Sequence, residues 1–275
     1  MNKRILQLFD VSLRDGIQSI KKPMPFKTKR NILHNIISRK VNDIEIGSFV
    51  SPKILPQFND SLKLYKYAKS IGIKNNNYFI LFPNSNQVKR GIEAGIENLS
   101  LITSVSDSFQ KKNINKTLEE TKNDLINSFD IINTNKESIN NVKLYVSCIN
   151  ECPIDGIISP SLIVNELSYY HHNFENITNL CLSDTCGTLT PDIFEIIVGK
   201  CTVFEGISSE KISIHLHCNN NNNDFERINK IIQIAQEYDI YKIDVSLLDS
   251  GGCSVTMDVD KINRNLSYDD ISLLN

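Results

Sequence analysis

No run of the chain approaches the ~20 consecutive apolar residues that a membrane-spanning helix needs. The opening MNKRILQLFD has neither an apolar h-region nor a small-residue cleavage site, so an unprocessed cytoplasmic protein without a membrane partner is expected. An excess of one charge is also missing. Thirty Lys and Arg face 32 Asp and Glu, a net charge of −2. That excludes the broad basic surface a nucleic acid requires, and leaves any anionic ligand to be met by local lysines. The seven cysteines include no C-x-x-C pair; they read as reduced thiols of an intracellular protein, most of them small core hydrophobes. No glycine-rich fingerprint follows the first apolar segment, which removes support for dinucleotide or P-loop phosphate binding.

What the chain does have is repetition. Eight short β-rich segments occur at residues 5–13, 41–49, 78–83, 98–104, 143–149, 179–186, 211–218 and 241–249. Between them run stretches of helical spacing, such as Ile163, Leu167, Tyr170 and Phe174, or Phe225, Ile228, Ile232 and Ala235. Strands that are near-continuous apolar runs, alternating with amphipathic helices, predict a closed (β/α)8 TIM barrel occupying residues 1–275 as one domain. A doubly wound open sheet is the competing architecture. The asparagine tracts at 75–77 and 219–223 read as solvated loops.

In such a barrel the working groups sit at the C-terminal ends of the strands. The polar residues there are Asp10, Arg14 and Asp15 after the first strand, Glu45 and Ser48 on the second, and Tyr145 and Ser147 on the fifth. Asp184 and Thr185 follow on the sixth, His215 and His217 on the seventh, and Cys253 lies just past the eighth. Residues two apart on a strand share a face, so His215 and His217 can direct two nitrogens at one metal. A lone buried His is more often a core residue, but a pair converging with acidic groups favours a metal. Two His, Asp15 and an amide oxygen leave room for substrate oxygens in an octahedral shell, which suits Mg²⁺ or Mn²⁺. Arg14 and Asp15 would by default form a surface ion pair contributing under ~1 kcal/mol; their place after a strand end, next to Gly16, argues for a site role. Cys253 follows two glycines in LLDSGGCSVT, where a thiol can donate or accept a proton. Cys148 and Cys152 in SCINEC are weaker candidates, and His171 and His172 read as surface residues on a helix.

The ordered series DVSLRDGIQS, EIGSFVSPKILPQ, FPNSNQVKRGIEAGI, KKNIN, YVSCINECPIDGIISP, LSDTCGTLTP, HLH and GGC resembles the 3-hydroxy-3-methylglutaryl-CoA lyase family over nearly the whole chain. The R-D-G and H-x-H elements are shared with a wider superfamily that includes isopropylmalate and homocitrate synthases. The SFVSPK, YVSC…CP and GGC pieces narrow it to the lyase. The resemblance implies a pyruvate carboxyltransferase-like catalytic barrel that cleaves an acyl-CoA to acetyl-CoA and acetoacetate, as in leucine catabolism and ketone-body metabolism. It implies Asp15, His215 and His217 as metal ligands, with Asn265 completing the set and Asn263 as the alternative. Arg14, Glu45, Asp184, His215 and Cys253 fall on catalytic positions. Lys21, Lys111 and Lys112 stand at loop positions suited to coenzyme A phosphates, and Tyr145 and Thr185 join them as binding residues. A homodimer is a further expectation from the resemblance.

The chain also departs from the family pattern. Cys218 and asparagines replace the acidic-Thr-Tyr-Gly turn after H-x-H, an aspartate beside the second histidine is missing, and Asp249-Ser250 replaces a small apolar pair before GGC. Pro is missing after Cys253, and the end at Asn275 suggests a truncated eighth helix. These departures sustain two rivals: a related aldolase or acetyl-CoA Claisen-condensing synthase, and an impaired metal- and acyl-CoA-binding homologue.

Overall fold

The computed structural model describes residues 5–73, 75–219, 224–252, 256–257 and 263–274. Its strands are β1 (Gln7–Asp10), β2 (Asp43–Ser48), β3 (Asn77–Phe82), β4 (Asn98–Ser104), β5 (Asn141–Ser147), β6 (Asn179–Asp184), β7 (Ile212–Cys218) and β8 (Lys242–Val245). Each is followed by a helix: α1 (Phe26–Ser38), α2 (Ser61–Ile71), α3 (Ser85–Glu93), α4 (Leu118–Thr134), α5 (Pro160–Asn173), α6 (Pro191–Gly199), α7 (Asp224–Glu237) and α8 (Tyr268–Leu273). Neighbouring strands run parallel around the sheet. Leu8 pairs with Ile243 and Ile243 with Ile214, so β8 joins β1 to β7 and the barrel closes.

Local chemistry sets the helix starts. Ser159 and Thr190 accept from the backbone N–H of Leu162 and Ile193, and each is followed by a proline that lacks the N–H a first helical residue would leave unpaired. Thr117 and Glu120 form a reciprocal capping box at α4. With the helix directions fixed in this way, side chains such as Ile44, Leu99, Leu180 and Ile214 pack outward from the strands into one continuous core. The alternate strand residues face the lumen, where Phe9 and Phe79 lie edge to face at 4.9 Å.

Some boundaries differ from the sequence reading. The first segment pairs only over Gln7–Asp10, because the chain then turns and Arg14 and Gly16 both donate their N–H to the Val11 carbonyl. The last pairs only over Lys242–Val245, after which Ser246 donates to Leu266. Phe225, expected on the buried face of α7, is exposed; Asp224 is the buried residue of that turn, and Ile231 joins Ile228, Ile232 and Ala235 on the buried face. Asn77 belongs to β3 rather than to a loop, donating to Asp43 Oδ1 at 2.7 Å. Among the described residues no helix is long and apolar enough to cross a membrane.

Candidate active site at the mouth of the barrel

Arg14 and Asp15 stand where β1 gives way to a one-turn helix, Asp15–Gln18. They form an ion pair, Nη1 to Oδ1 at 2.5 Å, and both are buried, so this is not the surface pair its position in the sequence suggests by default. Arg14 Nε also donates to Glu45 Oε2, and the Tyr145 hydroxyl donates to the same oxygen at 3.1 Å. The guanidinium lies 4.8 Å from the Tyr145 ring centroid. Two carboxylates and an aromatic face therefore fix one cation in place. The reciprocal effect falls on Asp15. Burial alone would raise its pKa, but the adjacent Arg14 and the two histidines hold it well below the usual carboxylate range.

His215 and His217 point from β7 to the same place, with ring centroids 4.8 Å apart. Their Nε2 atoms lie 3.9 and 3.5 Å from Asp15 Oδ2. Each Nδ1 has its own partner: Asp244 Oδ2 at 3.0 Å for His215, and the Asp184 carbonyl at 2.9 Å for His217. A backbone acceptor thus orients the His217 ring, although no aspartate follows it in the sequence. Burial lowers the pKa of His215. At His217 burial pulls the same way but the bond to Asp15 outweighs it, and the pKa is raised.

These residues fit a divalent cation. Asp15, His215 and His217 offer one oxygen and two nitrogens, all within 4.8 Å of one another and all buried. Ligands at ~2.1 Å around an octahedral ion are separated by roughly 3–4 Å, which matches the contacts to Asp15 Oδ2. Asn265 supplies an independent sign. It pairs directly opposite His217 in a short antiparallel ladder, its Nδ2 donates to the Ser250 carbonyl at 2.9 Å, and its buried Oδ1 has no hydrogen-bond partner among the described residues. Asn263 instead spends its Nδ2 on the Cys186 carbonyl at 2.8 Å. Gly251 permits this arrangement: a Cβ there would stand 2.3 Å from Asn265 Nδ2.

The cluster opens into a cavity of about 390 Å³, within the usual range for small-molecule sites. Arg14, Asp15, Tyr145, Ser147, Thr185, His215 and His217 line it, together with Gly252, whose N–H donates to Asp15 Oδ2 at 2.8 Å. Phe49, Ile54 and Ile102 form an apolar wall, and Lys112 and Lys116 stand at the rim.

Other sequence candidates lie elsewhere. Lys21 and Lys111 are exposed and border no part of the cavity. Glu45 is buried behind Arg14. The Asp184 carboxylate faces away from the cavity, accepting from the Thr188 and Leu189 amides and from Arg227 Nη1; burial raises its pKa. Cys152 organises a short hairpin, accepting from the Ile154 and Asp155 amides. His172 is exposed and His171 half-buried on α5. Asp249 is exposed and within 3.7 Å of Arg264. Cys253 lies outside the described residues.

Fold and site together define a (β/α)8 barrel with a candidate divalent-cation site at its mouth. The chain belongs to the HMGL-like family, whose model matches residues 5–225. It is 28% identical over 254 residues to the mitochondrial hydroxymethylglutaryl-CoA lyase of Arabidopsis thaliana, covering 91% of this chain and 50% of that protein. The Homo sapiens mitochondrial enzyme is 28% identical over 253 residues, covering 91% of this chain and 73% of the relative. This chain therefore spans half the length of the plant relative and about three quarters of the human one. Among solved structures, an HMG-CoA lyase from Acinetobacter baumannii in complex with coenzyme A and 3-methylmalate superposes with a TM-score of 0.84 at 25% identity, covering 99% of this chain and 83% of that one.

Proposed function

We propose that the protein cleaves 3-hydroxy-3-methylglutaryl-CoA to acetoacetate and acetyl-CoA. The observation that carries this reading is the convergence of Asp15, His215 and His217 at the floor of a cavity whose wall includes Arg14. Asp15, His215, His217 and Asn265 would hold a divalent cation, Mg²⁺ or Mn²⁺. Bound there, such an ion lowers the pKa of a chelated alcohol and orients the scissile bond.

The chain's own groups supply the remaining steps. The hydroxyl proton passes to the Asp15 carboxylate, which borders the cavity; His215, with Nδ1 turned to Asp244 and Nε2 to the cation position, has no nitrogen free to take it. Breaking the C2–C3 bond leaves the electron pair on the acetyl thioester, where negative charge develops on the carbonyl oxygen. Arg14 is the cation suited to that charge; Glu45, Asp15 and Tyr145 already hold it in place, so little reorganisation is needed. Cys253 protonates the carbanion carbon. Its neighbour Gly252 is tied to Asp15 at the mouth of the site. The exposed Lys112 at the rim would meet a coenzyme A phosphate, a reading its position beside the cavity supports.

Incubation with Mg²⁺ and 3-hydroxy-3-methylglutaryl-CoA, followed by an acetoacetate assay, tests the reaction. Acetoacetate is the expected product. Free thiol from acetyl-CoA plus a 2-oxo acid would instead identify a condensing enzyme, and no turnover in either arm would leave a binding protein. Cys253→Ala is expected to slow cleavage ~10²–10⁴-fold with Mn²⁺ affinity retained; equal rates would remove the thiol from the mechanism.

A further inference from the structure

The lumen beneath the cavity carries a charged pair where (β/α)8 barrels stack branched apolar side chains. Lys143 on β5 and Asp244 on β8 are 0% and 2% exposed, with Nζ 2.5 Å from Oδ1. The ammonium lies 3.5 Å from the Phe9 ring centroid and 4.5 Å from that of Tyr145. Stability does not account for such a pair: desolvating both ions offsets their attraction, and apolar residues of similar volume serve a core as well or better. The second oxygen of the carboxylate does account for it. Asp244 Oδ2 faces His215 Nδ1 at 3.0 Å.

We propose that Lys143 and Asp244 are positioning residues for His215. Lys143 occupies one oxygen of Asp244 and balances its charge. The other oxygen can only accept, so His215 carries its proton on Nδ1 and keeps the Nε2 lone pair, which faces Asp15 Oδ2. His217 reaches the same tautomer by another route, through the Asp184 carbonyl. A carbonyl carries no net charge, which is why a buried lysine stands behind only one of the two histidines. The inference rests on the cation-binding part of the proposed function and not on the identity of the substrate.

The test compares wild type with a double variant, Lys143→Met with Asp244→Leu. It removes both charges together, so neither is left buried without a partner, and circular dichroism checks its fold. Two measurements are made: ¹⁵N NMR of the His215 ring without metal, and Mn²⁺ titration followed by electron paramagnetic resonance. Wild type is expected to show a single Nδ1–H tautomer at His215. The folded double variant is expected to show a tautomer mixture and Mn²⁺ affinity weaker by about 10–100-fold. A folded double variant that keeps the single tautomer, or binds Mn²⁺ as tightly as wild type, overturns the proposal. Should wild type bind no Mn²⁺, the proposed function fails, and the tautomer comparison alone then decides the positioning role.

Discussion

Asn265 carries a prediction that separates it from its neighbour two positions earlier. Its buried Oδ1 has no partner among the described residues and its Nδ2 is fixed by Ser250, whereas Asn263 is committed to the Cys186 carbonyl. Asn265→Ala should therefore weaken Mn²⁺ binding by at least ~10-fold, a loss usual for a group that supports a metal site. Stability without metal should change by about 1 kcal/mol, the net worth of one hydrogen bond. Asn263→Ala should leave Mn²⁺ affinity at the wild-type value; calorimetric titration of both variants checks the contrast. The cluster of Asp15, His215 and His217 was legible in the sequence because alternation along β7 and the position after β1 are properties of short segments. Lys143, Asp244 and Arg227 were not picked out. The signal existed for Asp244, a charge inside the apolar run of KIDVS, whereas Lys143 reads only as the polar start of KLYVSC. What could not be read was the pairing, since the two residues are 101 positions apart and meet only when β5 and β8 face each other across the lumen. Arg227 looks like an ordinary surface residue of an amphipathic helix until the fold sets it against Asp184, Asp224 and the His217 carbonyl.

The eighth helix shows how a short element is retained. α8 has six residues, too few to be stable alone. Two attachments hold it: the Tyr268 hydroxyl donates to Asp10 Oδ2 at 2.6 Å, and Arg264 makes a two-pronged pair with Asp270 at 2.6 and 3.1 Å. Burial would raise the pKa of Asp270, but hydrogen bonds from Arg264 and Ser267 outweigh it, and the pKa is lowered. A carboxylate whose folded pKa lies below its unfolded value contributes stability above the unfolded value, about 3.9. That contribution is lost as pH falls through the folded pKa. Protection factors of the α8 amides, corrected for intrinsic exchange, are therefore expected to fall on acidification below about pH 4, and Asp270→Asn should show low protection at neutral pH with little further change on acidification. A pH-independent α8 in wild type would contradict this. The strand and helix order was readable from apolar periodicity, while the ends of β1 and β8 were not. Those ends are set by turns and by a backbone bond from Ser246 to Leu266, which apolar runs do not encode.

Across the whole molecule the barrel is unevenly laced. β4 and β5 pair over seven residues, but β1 with β2 and β7 with β8 pair over only two each. The sparse ladders flank the β1–β8 seam, which carries Asp15 on one side and Gly251–Gly252 on the other. A cation shared by Asp15 on the β1 side and the histidines of β7 would bridge this region. Mn²⁺ at a hundred times its dissociation constant is worth ~2.7 kcal/mol, enough to raise the melting temperature by about 5 °C, and His217→Ala should abolish the rise. Hydrogen exchange should also show slower opening of β1 and β8 when Mn²⁺ is present. The most direct measurement is anomalous diffraction from crystals soaked in Mn²⁺. The account predicts one strong peak about 2.0–2.3 Å from an Asp15 carboxylate oxygen and from Nε2 of both His215 and His217. A Mn²⁺ peak elsewhere, or none at these three atoms under saturating metal, would contradict it.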